Sequence, residues 1–404
     1  MIPLFKLNRN KSALIVYSYL REMRVVVDKD YNFVGLKPKN EIDEVVIPSE
    51  HEFNGKTYPV TEIRKNAFSK LENLACVIIS DSVSKIGDFA FSDCHYLERI
   101  IIPDSIKEIG ASAFHLCYKL QHIHIPKSIT KIGHGAFAGC FSLKEIYIPD
   151  SVKKIWNGAF FWSKIYNIVI PDSVKEIGVD AFGYCIELRT MHIPNSVKKI
   201  GDRAFGYCIN INKIQIPNSV KKIGKAAFEC CESLNDVTIP NSVKRIDDLT
   251  FGSCKNLTRV VIPDSVTEIG NFAFCRCKNL SDIVIPSTVT KIGDSAFRGC
   301  ENLTNITIPD SVTQIGTEAF YYCTGLKRIR IPNSVKTIGE NTFEWCENLE
   351  EIIIDDASLL VKAGVQKNVK IFDRKVTLSN IINAIRHHGS LKTNHKPKKT
   401  NDFV

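Results

Sequence analysis

The chain has 404 residues, 44% of them hydrophobic and 24% charged, a balance that excludes a largely disordered polymer and leaves ample material for a core. Of the net charge of +9, residues 374–404 alone hold +6, so the remaining body carries only +3 and is not marked as a binder of nucleic acid or acidic membrane. No run of about 18 apolar residues predicts a membrane-spanning helix. Residues 13–19 are apolar but few, and Arg21 and Arg24 follow without a small-residue cleavage pattern, so no export signal is recognised and a cytoplasmic location is expected.

In chain order, residues 24–36 come first, with Val25, Val26 and Val27 before a polar turn and then Phe33 and Val34. They predict a hairpin that caps an open apolar end. After Pro48, nine extra residues lengthen the segment that leads to Ile63, Ala67 and Phe68. From there one phrase recurs. Eleven Ile-Pro steps run from Pro103 to Pro332, nine of the ten intervals being 23 residues and one, Pro149 to Pro171, being 22. A repeat at this period overrides the domain count that length alone suggests and predicts stacked coils, about fourteen of them.

One coil serves for all. In Leu257-x-x-Val260-Val261-Ile262-Pro263-Asp264-Ser265-Val266-x-x-Ile269-Gly270-x-x-Ala273-Phe274-x-x-Cys277, the alternation up to Ile262 has the period of a short strand. Pro263 ends it because proline has no N–H for a further ladder bond. Asp and Ser then favour a turn. Gly270 marks a place where a side chain would crowd the backbone or where φ is positive. The Ala-Phe-x-x-Cys piece is expected to make about one turn of helix. No coil can bury its own Leu, Ile, Val, Phe and Cys, so neighbours must stack into one column. The fold class expected is an α/β repeat: a right-handed solenoid with a parallel sheet on one face and a body about 65 Å long. Beyond it, residues 359–372 are expected to cover the last coil, residues 377–386 to form a short helix, and the remainder to be a basic, disordered end.

The phrase I-P-D-S-V-x-x-I-G-x-x-A-F-x-x-C-x-x-L resembles the BspA-type leucine-rich repeats over residues 43–355, and the stretch from Asn54 to Val60 resembles the elongated first coil of such proteins. Residues 1–42 and 356–404 are then the two end regions. The resemblance implies adhesion or host interaction, with a surface or secreted location that differs from the cytoplasmic expectation above. Departures from the phrase are local: Trp156 and Asp247 stand in the Gly place, Ser163 and Leu71 in the Cys place. An irregularity in curvature is expected near residues 156–166.

Eleven of the fourteen cysteines, from Cys94 to Cys346, share one repeat position, and the preferred reading is a small buried apolar residue rather than a disulfide or metal ladder. The residues two and four before each Pro place vary from coil to coil while the buried positions stay constant, which marks them as a free surface on the concave sheet face. From these columns the expected partner-binding residues are Arg99, His122, His124, Tyr147, His192, Arg259, Arg328 and Arg330. His122 and His124 lack a third donor at fixed spacing, so solvated histidines are preferred to a metal site. Lys153, Lys154, Lys175, Lys198, Lys199, Lys221, Lys222, Lys244 and Arg245 form a basic stripe, for which solubility is preferred and polyanion binding is the alternative. No phosphate-loop, dinucleotide, zinc-protease or nucleophile-elbow pattern occurs. The expectation is a monomeric, non-catalytic module without metal or cofactor that binds a protein; nucleic acid is not the expected partner.

Overall fold

The structure, a computed structural model, describes residues 5–7, 14–16, 23–27, 33–38, 44–53 and 55–373. The helix expected at 377–386 and the basic end lie outside them. Each 23-residue period closes one coil, and successive coils stack in register. The first parallel row begins at Glu44–Ile47, Cys76–Ile79 and Arg99–Ile101 and runs on to Glu351–Ile354 and Lys370–Asp373. Its strands alternate as expected, so in Arg259–Ile262 the side chains of Val260 and Ile262 are buried and those of Arg259 and Val261 are exposed.

A second parallel row exists that the sequence reading did not separate from the first. Its members are two residues long, from Lys85–Ile86 and Glu108–Ile109 to Thr337–Ile338. The Ile of each packs into the core, buried in all but Ile338, while the polar residue before it faces water. The turn between the rows is fastened by its serine: Ser105 Oγ donates to the Val83 carbonyl at 2.6 Å, Ser219 to Val197 at 2.8 Å, and Ser311 to Val289 at 2.6 Å. Serine recurs there because it returns a hydrogen bond to the coil before it.

The expected turn of helix is absent. The Ala-Phe-x-x-Cys edge is a run of β-turns in which residues four apart have positive φ, as at Phe89 (55°) and Asp93 (60°) or Arg203 (48°) and Tyr207 (61°). An α-helix requires negative φ throughout. Here alternate N–H groups serve two masters: Phe89, Phe91 and Asp93 donate to carbonyls of the next coil, each at 2.8 Å, while Ala90, Ser92 and Cys94 close turns within their own. A helix would send all of them backwards along one coil and leave the neighbouring coil's carbonyls unsatisfied. The sole helical element among the described residues is a 3-10 turn, Ala357–Leu360.

Thirteen phenylalanines from Phe68 to Phe343 stack face to face along the axis with centroids 5.1–5.9 Å apart. Phe137, Phe182 and Phe205 therefore belong to one core. The eleven cysteines of the repeat column are buried beside them, and all fourteen in the chain are unpaired. They are more than apolar filler: Cys208 Sγ donates to the Phe182 carbonyl at 3.0 Å and Cys346 Sγ to Phe320 at 3.1 Å, and Ser163 makes the equivalent bond to Phe137 at 2.9 Å. The glycine after the second Ile is required for space. A Cβ on Gly201 would lie 2.5 Å from the Gly178 carbonyl carbon, and its φ is not positive. Where Trp156 takes this place the Trp156 N–H reaches the Ile132 carbonyl at 3.2 Å, against 2.9 Å for Gly201 to Ile177.

At the start, Met23–Val27 pairs antiparallel with Phe33–Pro38, while Phe5–Leu7 and Leu14–Val16 extend the second row by pairing onto Lys56–Ile63. The extra residues after Pro48 form a hairpin, Glu50–Phe53 against Lys56–Ile63. At the other end Phe343 N donates to the Ala363 carbonyl, and Leu360, Ala363 and Val369 are buried over the last coil.

Candidate binding surface

The first row exposes two columns of side chains set side by side by parallel register. Arg99 stands opposite His122, Glu145 opposite Asn167, and Tyr147 opposite Val169. The short coil lies among them. Its missing residue comes from the turn between the Cys and Leu places, so that Ile165 follows Ser163 by two positions instead of three and remains fully buried. As it does again before Asp236–Thr238 and before Asn305–Thr307, ladder pairing in the first row lapses on both sides of this place, between His122–Ile123 and Glu145–Tyr147 and between Asn167–Val169 and Thr190–His192. There the surface is hollowed into a groove of about 580 Å³ lined by Arg99, Ile101, His122, His124, Glu145, Tyr147, Asn167 and Val169. A second hollow of about 610 Å³ shares Tyr147 and Val169 and adds His192, Asp150 and Asp172.

Tyr147 is 59% exposed and Val169 69% exposed, which is a large apolar investment in open water. Five of the expected residues, Arg99, His122, His124, Tyr147 and His192, thus border two joined hollows. The other three do not join them. Arg259 pairs with Asp282 at 3.1 Å, Arg328 with Glu351 at 3.2 Å, and Arg330 with Asp310 at 3.3 Å, all on the C-terminal half of the face. Glu145 accepts the Tyr166 hydroxyl at 2.7 Å, and this bond to a carboxylate raises the Tyr166 pKa. Val169 and Ile101 line the groove as well; the sequence set them in the exposed column two before the Pro place, outside the expected partner-binding residues.

The chemistry of the remainder is quiet. Among the described residues no three His, Cys, Asp or Glu side chains converge as a metal ion requires. Burial raises the Cys230 thiol and the Glu229 carboxyl beside it, and a protonated thiol is a poor nucleophile. On the turn edge His95, Tyr118 and Phe141 stack at 4.5 and 5.0 Å, and Trp162 meets Phe141 edge-on, so these rings use their faces on one another.

The profile of the BspA type leucine rich repeat region matches residues 52–165, 153–281 and 267–388. The chain belongs to this family. Among solved structures, a leucine-rich repeat protein from Bacteroides ovatus is 28% identical over 88% of this chain and 99% of its own, with a TM-score of 0.70. A leucine rich cell surface protein from Faecalibacterium prausnitzii is 30% identical over 90% of this chain and 96% of its own, with a TM-score of 0.61. The pneumococcal vaccine antigen PcpA, 19% identical over 85% of this chain and 86% of its own with a TM-score of 0.55, shares the fold. A search of curated proteins gives no match. BspA-type repeats as a class are scaffolds for interaction or adhesion and are typically non-catalytic. No helix among the described residues is long and apolar enough to cross a membrane.

Proposed function

We propose that this BspA-type chain is a non-catalytic, monomeric interaction module that holds a protein partner against the first parallel row, centred on Tyr147 and Val169. The observation that carries the reading is the exposed apolar pair inside a groove bordered by Arg99, His122, His124 and His192. A buried aromatic anchor ringed by polar groups is the arrangement that concentrates binding energy in protein interfaces. The paired arginines of the C-terminal half, Arg259, Arg328 and Arg330, supply rim contacts, since exposed ion pairs contribute little by themselves. The described strands before Glu44 and residues 356–373 cap the two ends of the column, and the partner is met at a cell surface, as the name of the Faecalibacterium relative suggests for that protein.

The test is a quantitative pull-down comparing the native chain with Tyr147→Ala/Val169→Asp and with Arg259→Glu/Arg328→Glu. The first pair is expected to lower recovery of specific partners by at least about tenfold, the size of a lost anchor. Equal recovery by all three proteins refutes the proposed face, and loss only with the arginine pair moves the site to the C-terminal half.

A further inference from the structure

We propose that the second parallel row carries a docking strip for an acidic polysaccharide, centred on Lys198, Lys221, Lys222 and Lys244. On either side of these lysines the row sets acids beside bases. Lys85 pairs with Glu108 at 3.4 Å, Lys154 and Lys199 both reach Glu176 at 2.8 and 3.2 Å, and Glu268 holds Arg245 at 2.7 Å and Lys291 at 3.7 Å. Through the three coils from residue 195 to 245 no such acid stands in the row. Lys198, Lys221 and Lys244 follow the turn in succession, Lys199, Lys222 and Arg245 stand beside them, and no acid shares either column. Parallel register puts Lys199 directly against Lys222, while Lys221 N donates to the Lys198 carbonyl at 2.9 Å, so like charges face one another across adjacent coils.

Like charges directly opposite are destabilising, and the neighbouring coils show that a glutamate fits the same place. Among the described residues Lys198, Lys221, Lys222 and Lys244 make no ion pair, and all four are exposed. The turn residue changes with them: Asp150 and Asp172 precede the strip and Asp264 follows it, but within it stand Asn195, Asn218 and Asn241. The turn carboxylate is thus replaced by its uncharged amide in those three coils. With Lys153 and Lys175 the ladder extends over five coils, about 19 Å at the spacing of paired strands.

A straight line of cations matches a linear polyanion. The exposed amides point to sugar rather than to nucleic acid. Asn218 Oδ1 accepts the Asn241 N–H at 3.1 Å, which leaves its NH2 group to donate to hydroxyls. Bases would need aromatic faces to stack on. None stands in these three coils of the row, and the nearest, Trp156, is occupied by the Lys154 ammonium 4.3 Å from its centroid. The strip is independent of the groove around Tyr147.

The test measures anisotropy of fluorescein-labelled heparin with the full chain, Lys198→Gln/Lys221→Gln/Lys244→Gln, and the charge-matched control Lys144→Gln/Lys164→Gln/Lys327→Gln, with folding of each checked by circular dichroism. The strip variant is expected to bind about tenfold more weakly with a flatter salt dependence, while the control stays near the native affinity. Absence of heparin binding, an equal loss in strip variant and control, or equally tight binding of oligo-dT, neutral dextran or phosphatidylserine vesicles overturns the proposal. Tyr147→Ala/Val169→Asp keeps native heparin affinity, which separates this outcome from that of the protein-binding face.

Discussion

A cysteine in this column differs from alanine by one buried bond. Its Sγ–H donates to the Phe carbonyl of the preceding coil, an oxygen that already accepts the N–H of that coil's own Cys, and fills its second acceptor place. Burial pushes the thiols up, to about 12 at Cys94, Cys185 and Cys346 against 9.0 for a free thiol, so the native column stays protonated when the unfolded chain has ionised. The folded state then binds more protons than the unfolded one at high pH. The contribution to stability is complete below pH 9.0 and is lost as pH rises through about 12. Urea midpoints followed from neutral pH upward should fall steeply in this window. Cys208→Ser/Cys231→Ser should fall less, because Ser163 shows that a hydroxyl takes the same place; an identical fall would assign the effect to other groups. The chemistry of Ser, Cys and Gly at fixed places was visible in the repeat. That Cys and Ser are donors to the coil before them was not, since no property of a single coil says where its neighbour's carbonyls lie.

Within the coil, the glycine and the turn edge place opposite demands on the backbone. Gly201 needs room and not a special φ, so Gly201→Ala forces its Cβ against the Gly178 carbonyl carbon, a distance of 2.5 Å, and should cost about 1–3 kcal/mol. Ser112 has positive φ (52°), so Ser112→Gly should be neutral or stabilising by up to about 1 kcal/mol. Thermal unfolding of the two variants checks the pair, and a destabilised Ser112→Gly with an unaffected Gly201→Ala would reverse the assignment. The strand and its Pro stop were legible because alternation and a missing N–H act within a few residues. The turn edge was misread as helix because Ala-Phe-x-x-Cys suits one helical turn by spacing alone. Only the adjacent coil, offering carbonyls to Phe89, Phe91 and Asp93, makes the mixed turn the better solution.

Along the whole molecule, stability is a sum of coils and of the contacts between them. Phe205 stacks on Phe182 and Phe228, with centroids 5.3 and 5.5 Å away, so Phe205→Ala opens the column for two neighbours at once. The expected cost is about 3–5 kcal/mol. Hydrogen exchange should quicken in the coils around residues 182–228 and stay native near Phe68 and Phe343. A uniform rise along the chain would instead mean one cooperative unit.

The coil, the number of coils, the buried positions and a free face were all readable along the chain, because a side chain that recurs every 23 residues meets its own copy wherever coils stack. The sequence also located the lengthened first coil and the 22-residue coil. What tertiary structure decided is how exposed groups meet. Arg259 and Arg328 found acids, Lys198 and Lys221 did not, and Tyr147 came beside Val169 across a shortened coil. Those outcomes rest on distances between coils, which backbone hydrogen bonds fix and which no period in the chain encodes.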